Sequence, residues 1–427
     1  MNEDPTVLLS PRGQQILARL AHEAERVHEA ERAPQADLAL AVSLRREYPA
    51  SLVAAAMAQQ ELRRAARAKF SRAMRMLFTR DGYEQSSSET IARHRAARFS
   101  GARRVADLCC GIGGDLVALA PGRDVLAVDR DEVHARLAVH NAGVYEVAAA
   151  VRACVADVRD IPLTRPGPRT STRTSTRTST RTSARTSART GTGIDAIFID
   201  PARRAGTRRL RAGMSQPPLD WCLSLPERVP AVCVKAAPGL PAELIPPGWE
   251  VEFIADGRDL KEAVLWSPAL ATAPRRATIL PGARTLVADP GAAGDPVPVA
   301  QPGEYLLDPN PAVTRAGLVE DLARGLGAWK LDPLIAFLAV PRDVRTPFAR
   351  TLRVIESAPW NEKRFARRLR DLGVGAADLR RRGLAGDVEQ IHRRLKLAGP
   401  HRATVVLTRV NDKPWGLICA EPGSPLG

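Results

Sequence analysis

Apolar positions along the chain follow two periods, and the change near residue 104 divides it. Before that point the period is helical. Ile16, Leu17 and Leu20 share one face of a helix opened by Ser10-Pro11, a serine cap with proline at the first helical position. A longer helix is predicted from about Ser51 to Phe78, with Leu52, Ala56, Leu62 and Phe70 turned inward. Arg63, Arg67, Lys69, Arg72 and Arg75 recur at spacings that share helical faces. That basic row reads equally well as a solvated face or as an RNA-binding one. A polar stretch after Phe78 then leads to an amphipathic helix capped near Ser88.

From Val105 the pattern becomes short apolar runs alternating with helical ones. Strands are predicted at 105–108, 124–128, 151–155, 195–199, 230–235, 250–255 and 261–266, and helices at about 114–120, 131–141 and 217–226. Such alternation specifies an α/β fold with a seven-stranded, mostly parallel sheet. The last two strands, joined by DGRD, suit an antiparallel pair. The expected organisation is a helical region over 1–80, a sheet domain over 81–273, a Pro/Gly/Ala-rich connection over 274–344 and a small α+β domain over 345–427. In the connection, Asn310-Pro311 caps a helix reaching about Leu326. The terminal domain should hold a strand at 351–356, helices at 361–372 and 387–397, a basic turn at Arg380–Gly383, and a hairpin of TVVLTRV with GLICA.

The stretch 165–193 breaks the alternation. Its four-residue Arg/Thr/Ser repeat has no apolar side chain larger than alanine, so a disordered surface insertion is expected. The net charge of +16 changes less than it first suggests, because the repeat holds six arginines and no acid over 169–190, leaving 16 − 6 = +10. That excess still points to a polyanionic partner, nucleic acid above all. On the 361–372 helix, Lys363, Arg364, Arg367, Arg368 and Arg370 surround an inner face of Phe365, Leu369 and Leu372, which favours phosphate contacts. No apolar run approaches the roughly 18 residues a membrane span needs, and no signal-peptide pattern opens the chain. The six cysteines include no C-x-x-C pair, so reduced thiols in the cytoplasm and no metal site are expected.

Candidate chemistry gathers at DLCCGIGGD, a strand breaking into a glycine turn (Gly111, Gly113, Gly114) before a helix. A dinucleotide site would want a third glycine where Leu116 stands. Three acids instead mark successive strands: Asp107 inside the first, Asp129 ending the second, 18 positions after Gly111, and Asp157 ending the third. An adenine-nucleoside amino acid needs such a set: one carboxylate for an ammonium end, one for ribose hydroxyls and one for the adenine amine. The fourth strand ends in Asp200-Pro201-Ala202-Arg203, at the carboxyl edge where ligands bind in open α/β sheets.

These residues carry a resemblance. DLCCGIGGD, AVDRD, VADVRD and DPAR follow the motif order of class I S-adenosylmethionine-dependent methyltransferases acting on nucleic acids, whose D-P-P-x motif the last is similar to. The resemblance implies a Rossmann-like methyltransferase fold with S-adenosyl-L-methionine as cofactor. It implies contacts from Asp107, Cys109, Gly111, Gly113, Gly114, Asp129, Arg130, Asp157 and Val158. From FTRDGYEQSSSETIARHRA to VDRDEVHARLAVHNAGVYEV the chain is similar to the trimethylguanosine-synthase branch, which adds Gln85, Ser86 and Thr90 as cofactor or substrate contacts. That branch has D-P-P-W, with an aromatic that stacks on guanine; Ala202 and Arg203 stand there instead. The whole chain resembles bacterial methyltransferases with a C-terminal THUMP-like domain, which implies RNA as substrate, commonly tRNA.

The expected chemistry is methyl transfer to an RNA base nitrogen, with Asp200 and the Pro201 carbonyl orienting the acceptor and Arg203 holding a phosphate or a base edge. A carbon-methylating route would need a cysteine nucleophile, for which Cys222 is nearest in sequence to the fourth-strand loop. The rivals are a non-catalytic RNA-binding scaffold, and a methyltransferase for DNA, protein or a small molecule. A nicotinamide-dependent oxidoreductase is disfavoured by Leu116 and by Asp-Pro at the fourth strand.

Overall fold

The computed structural model describes residues 4–26, 34–163, 193–202, 204–205, 208–209, 214–292, 295–384 and 386–426. The insertion expected over 165–193 lies, apart from Gly193, outside them. The chain forms two compact units, Met1–Trp249 with Val264–Ala271, and Glu250–Ala263 with Thr272–Gly427. No helix among the described residues is long and apolar enough to cross a membrane.

The first unit opens with α1 (Pro11–Arg26), α2 (Pro34–Leu44) and α3 (Ala50–Ala66). Ser10 caps α1 by accepting the Gly13 N–H at 3.1 Å. The helix predicted to reach Phe78 stops at Ala66, because side chains claim the following backbone. Gln59 donates to the Phe78 carbonyl at 2.6 Å and accepts its N–H at 2.9 Å; Asn141 donates to the Leu77 carbonyl at 3.0 Å and accepts its N–H at 2.9 Å. Both amides are buried, and together they replace the partner strand an extended segment would otherwise need. The basic row is largely spent inside the fold. Buried Arg63 donates to the Met76 carbonyl, Lys69 to those of Tyr83 and Ser86, and Arg72 to that of Val144. This favours the structural reading of that row over the RNA-binding one.

Two short helices follow, α4 (Arg80–Gln85), capped by Thr79, and α5 (Glu89–Ala97), with Ser88 at the N-cap position. Then come β1 (Arg104–Leu108), α6 (Leu116–Leu119), β2 (Asp124–Asp129), α7 (Glu132–Val144), β3 (Val151–Val155), β4 (Ala196–Ile199), α8 (Leu219–Ser224) and β5 (Ala231–Ala236). The five strands pair in parallel in the order β3-β2-β1-β4-β5. The chain moves outward from β1 to β3 and then returns to the other side of β1, so a topological switch point lies between β1 and β4, where such sheets bind ligands. The boundary expected at residue 80 separates no compact units. Leu8, Ile16, Phe70 and Phe78 share one core with Ile112, Leu137 and Val144, since the amphipathic helices have no other apolar surface to cover.

The sixth and seventh predicted strands are β6 (Glu250–Asp256) and β7 (Asp259–Trp266), joined by a tight turn at Gly257. In the second unit β8 (Arg275–Leu280) runs parallel to β6 and antiparallel to β9 (Arg284–Val287). The single helix expected after Asn310-Pro311 is two, α9 (Pro311–Arg315) and α10 (Val319–Leu326), broken at left-handed Gly317.

The remaining strands are β10 (Tyr305–Pro309), β11 (Trp329–Lys330), β12 (Leu338–Val340), β13 (Ala349–Pro359), β14 (Val374–Arg381), β15 (His401–Val410) and β16 (Lys413–Ala420). They form a seven-stranded sheet ordered β11-β12-β10-β13-β16-β15-β14. The stretch expected as a connection contributes to the terminal sheet, since β10 pairs residue for residue with β13. Arg380 and Arg381, expected in a basic turn, instead close β14, an edge strand paired in parallel with β15. Helices α11 (Glu362–Asp371) and α12 (Val388–Leu395) pack Phe365, Leu369, Ile391 and Leu395 into a core with β15 and β16.

Candidate active site

The site lies wholly within the first unit, at the carboxyl ends of β1–β4. Beyond β1 the backbone turns sharply, with Cys109, Gly111 and Gly113 all at positive φ (60°, 54° and 84°). For Cys109 this conformation costs about 1–3 kcal/mol. The turn is held by three bonds: Cys110 N–H to the Val128 carbonyl at 3.0 Å, Gly111 N–H to Asp129 at 2.8 Å, and Gly113 N–H to the Cys110 carbonyl at 2.9 Å. At Gly113 a side chain would stand 3.0 Å from the Ala138 Cα of α7, so this glycine sets the packing of α7 and does not face a ligand. Gly114 permits an equally close approach by Ser86, which holds the 79–86 segment over the turn.

A cavity of about 400 Å³ opens here. Asp107, Cys109, Gly111, Gly114, Asp129, Arg130, Asp157, Val158, Gln85, Ser86, Asp200 and Pro201 line it, so most of the expected set meets in one place. Two expected residues fall elsewhere. Gly113 does the packing just described, and Thr90 is exposed on α5, where the helix turns it outward. Arg203 lies outside the described residues.

Asp107 is wholly buried, and among the described residues neither of its carboxylate oxygens has a hydrogen-bond partner. Burial, reinforced by Asp115, Asp200 and Asp129, pushes its carboxyl well above the usual range. An unpaired buried acid facing a cavity among glycines is suited to a cationic group. Asp129 accepts the N–H groups of Gly111 and, at 3.0 Å, Asp131, so it braces the turn while lining the cavity. Asp157 also lines the cavity, but Arg159 grips its carboxylate with two bonds of 3.0 and 2.6 Å, holding it down at about 2. Hydrogen bonding to the adenine amine, the role expected for Asp157, would have to share that grip.

Asp200 is joined by a residue the sequence reading passed over. Lys235 of β5, 3 % exposed, places Nζ 2.5 Å from Asp200 Oδ2 and 3.5 Å from the Gln85 carbonyl. One ammonium thus ties the fourth-strand loop to the segment covering the cavity. The signal was present, as a lone cation inside the apolar run AVCVKAA. Gln216 and Pro217 were missed as well. They line the cavity because Gln216 and Ala202 exchange backbone bonds at 2.9 Å, folding a distant loop back onto the site. The buried pair Arg95–Asp115 supports the start of α6 from α5.

The two cysteines of the turn are set against thiolate formation. Burial pushes Cys109 and Cys110 well up, helped by Asp129 and Asp200 for the first and by Asp107 for the second. Cys222 is buried outside the cavity lining, with its thiol pushed up to about 12. A cysteine-dependent carbon route finds no support in this arrangement.

Comparison with known proteins agrees with the geometry. Residues 102–203 match the family described as RNA cap guanine-N2 methyltransferase, residues 349–421 a THUMP domain-like family, and residues 3–66 a domain family of unknown function. Two curated relatives, both uncharacterized S-adenosylmethionine-dependent methyltransferases from strains of Mycobacterium tuberculosis, are 34 % identical over 346 residues, 78 % of this chain and 85 % of theirs. A solved structure of a candidate methyltransferase from Porphyromonas gingivalis W83 has the same fold (TM-score 0.68, 18 % identity, 88 % of this chain and 92 % of that one). The chain belongs to the S-adenosylmethionine-dependent methyltransferases.

Proposed function

We propose that this protein methylates a base nitrogen of an RNA, a tRNA or an rRNA, and that it acts in the cytoplasm, where its six free cysteines stay reduced. One observation carries the reading: Asp107 and Asp200, at the ends of neighbouring strands, line the same cavity, the first unpartnered and the second backed by Lys235. When bound, the cofactor supplies a methyl group on a sulfonium, an electrophile whose bonding electrons stay with sulfur. Asp107 would hold its ammonium end, and the turn braced by Asp129 would seat the nucleoside.

Asp200 keeps one oxygen on Lys235 and has a second for the acceptor. That oxygen and the Pro201 carbonyl accept the acceptor's N–H groups and direct its lone pair into the cavity. As the nitrogen gains the methyl group it loses a proton, and Asp200 Oδ1 is the acceptor in place. The 79–86 segment, fastened through Gln85 to Lys235, keeps water from the reacting centre.

RNA is supported by the descriptions of the two matched families and by the excess positive charge. Guanine N2 is not carried over, because Ala202 and Arg203 stand where that branch has Pro-Trp, so the ring that stacks on guanine is missing. The test is to incubate the protein with methyl-labelled cofactor and tRNA, rRNA or DNA from cells lacking the gene, then identify the labelled nucleoside. Label on an RNA base nitrogen supports the reading. Label confined to DNA, protein or ribose oxygen overturns it.

A further inference from the structure

In the second unit, five arginines crowd around three carboxylates on the terminal sheet. Strand register sets up the row: Asp308 of β10 stands opposite Arg350 of β13, and Asp378 of β14 opposite Thr404 of β15. Asp308 is buried and takes a guanidinium on each oxygen, Arg258 at 2.8 Å and Arg382 at 2.9 Å. Asp378 takes two on one oxygen, Arg350 at 3.2 Å and Arg380 at 3.1 Å. Glu421 bonds Arg350 at 2.7 Å, and Arg381 donates to the Gly386 carbonyl. Arginines 258, 350, 380, 381 and 382 against those three acids leave a formal balance of 5 − 3 = +2.

A cavity of about 210 Å³ opens among Asp308, Phe337, Leu379, Arg380, Arg381 and Arg382. Its cations are held in advance. Arg382 lies over the Phe337 ring at 4.6 Å and donates to the Ala336 carbonyl at 2.9 Å. Burial lowers the Arg258 and Arg382 pKa values, and the nearby Arg380 guanidinium pushes both the same way. Cations that are partly desolvated, preoriented and short of counter-charge form strong bonds to a tetrahedral oxyanion. The cavity also borders β14, an edge strand, where a polymer can pass. Helix α11, which packs on β14, carries exposed Lys363, Arg367 and Arg370.

We propose that this cavity binds a backbone phosphodiester of the nucleic-acid substrate, with Arg380 and Arg381 bonding its non-bridging oxygens. The site deepens the RNA reading and rests on it: it supplies grip and register, leaving base choice to the catalytic cavity. The test compares the full chain with Arg380→Ala/Arg381→Ala and with Arg380→Lys/Arg381→Lys, by fluorescence anisotropy on a labelled single-stranded RNA and the same-sequence DNA across a salt series. The alanine pair should bind RNA at least about tenfold more weakly, with the slope of log K against log salt flatter by about 0.7 for the one phosphate no longer neutralised. The lysine pair should keep the parent slope. Cofactor affinity and melting temperature should stay at the parent values for both. If the alanine pair binds RNA as tightly as the parent with the same slope, the site is wrong and the RNA reading stands. If the parent binds only DNA and the alanine pair loses that binding, the phosphate site stands and the RNA reading falls. A parent that binds neither strand overturns the site.

Discussion

Replacing Asp107 by Asn should make the protein more stable and unable to hold its cofactor. In the parent the carboxyl is wholly buried without a hydrogen-bond partner, and its pKa is raised well above the ordinary value. Such a group works against folding wherever the unfolded chain is ionised. Below the unfolded pKa of about 3.9 both states carry the proton and the cost vanishes. As pH rises past that value the unfolded state releases its proton while the folded state keeps it, so stability falls until the raised folded pKa is passed. The isosteric amide does not titrate, so this linkage cost disappears, about 1.4 kcal/mol for each pH unit over which only the unfolded state is ionised. For a unit of this size that corresponds to a melting point higher by about 2–4 °C per kcal/mol. The gain should be largest at neutral and higher pH and should shrink toward zero as pH approaches about 4. In calorimetry the same variant should lose at least about a hundredfold in cofactor affinity, the worth of a charge-assisted bond in a desolvated site. Melting curves over a pH series and one titration suffice. A variant that melts lower than the parent at neutral pH, or binds cofactor as well, would refute the assignment of Asp107 as an unpartnered receptor.

Lys235→Met should lower the rate of methyl transfer about a hundredfold through misplacement of Asp200, with cofactor affinity within about threefold of the parent in calorimetry; in a double-mutant cycle with Asp200→Asn the losses should not add. Additive losses would mean that the 2.5 Å pair does not act as a unit. Gly113→Ala puts a methyl group 3.0 Å from the Ala138 backbone at φ 84°, so urea unfolding should show a loss of about 1–3 kcal/mol, whereas an alanine at position 111, where nothing lies within 4 Å, should cost less. Gln59→Leu leaves the Phe78 N–H and carbonyl unpaired in the core. It should cost about 2–4 kcal/mol for the two groups, and limited proteolysis should cut the 76–86 segment faster than in the parent.

The strand positions were legible because β1, β2, β4 and β5 are short, largely apolar and mostly buried runs, as a parallel sheet requires. The glycine turn and the acids at the strand ends were legible for the same reason, since topology alone brings successive carboxyl edges together. What could not be seen depends on pairing across distance. Nothing near Phe78 announces that Gln59 and Asn141 will hold it extended, so a helical period was read through to its end. Lys235 looked like an ordinary strand residue until the fold put it behind Asp200, 35 positions earlier. The compact units cross the expected changes of composition for a related reason. Sequence shows changes of composition, but a compact unit is set by which apolar faces share a core, and Leu8 with Ile112, or Leu306 with Leu352, share one across such changes.

Charge is distributed against the average. In a chain of net +16, the catalytic cavity is lined by seven aspartates, at 81, 107, 115, 129, 131, 157 and 200, against only two arginines, 130 and 159. Low-dielectric walls focus such a field, so the cavity favours a small cation and repels a phosphate chain. The second unit has the reverse bias, with guanidinia outnumbering carboxylates on its terminal sheet. A polyanion is therefore favoured at the second unit, and on the proposed reading a base would enter the anionic cavity only when backbone contacts elsewhere offset the repulsion of its phosphates. On the proposed RNA reading, the cationic cofactor and the polyanionic substrate need opposite fields, which one basic pocket could not supply and two units of opposed charge can.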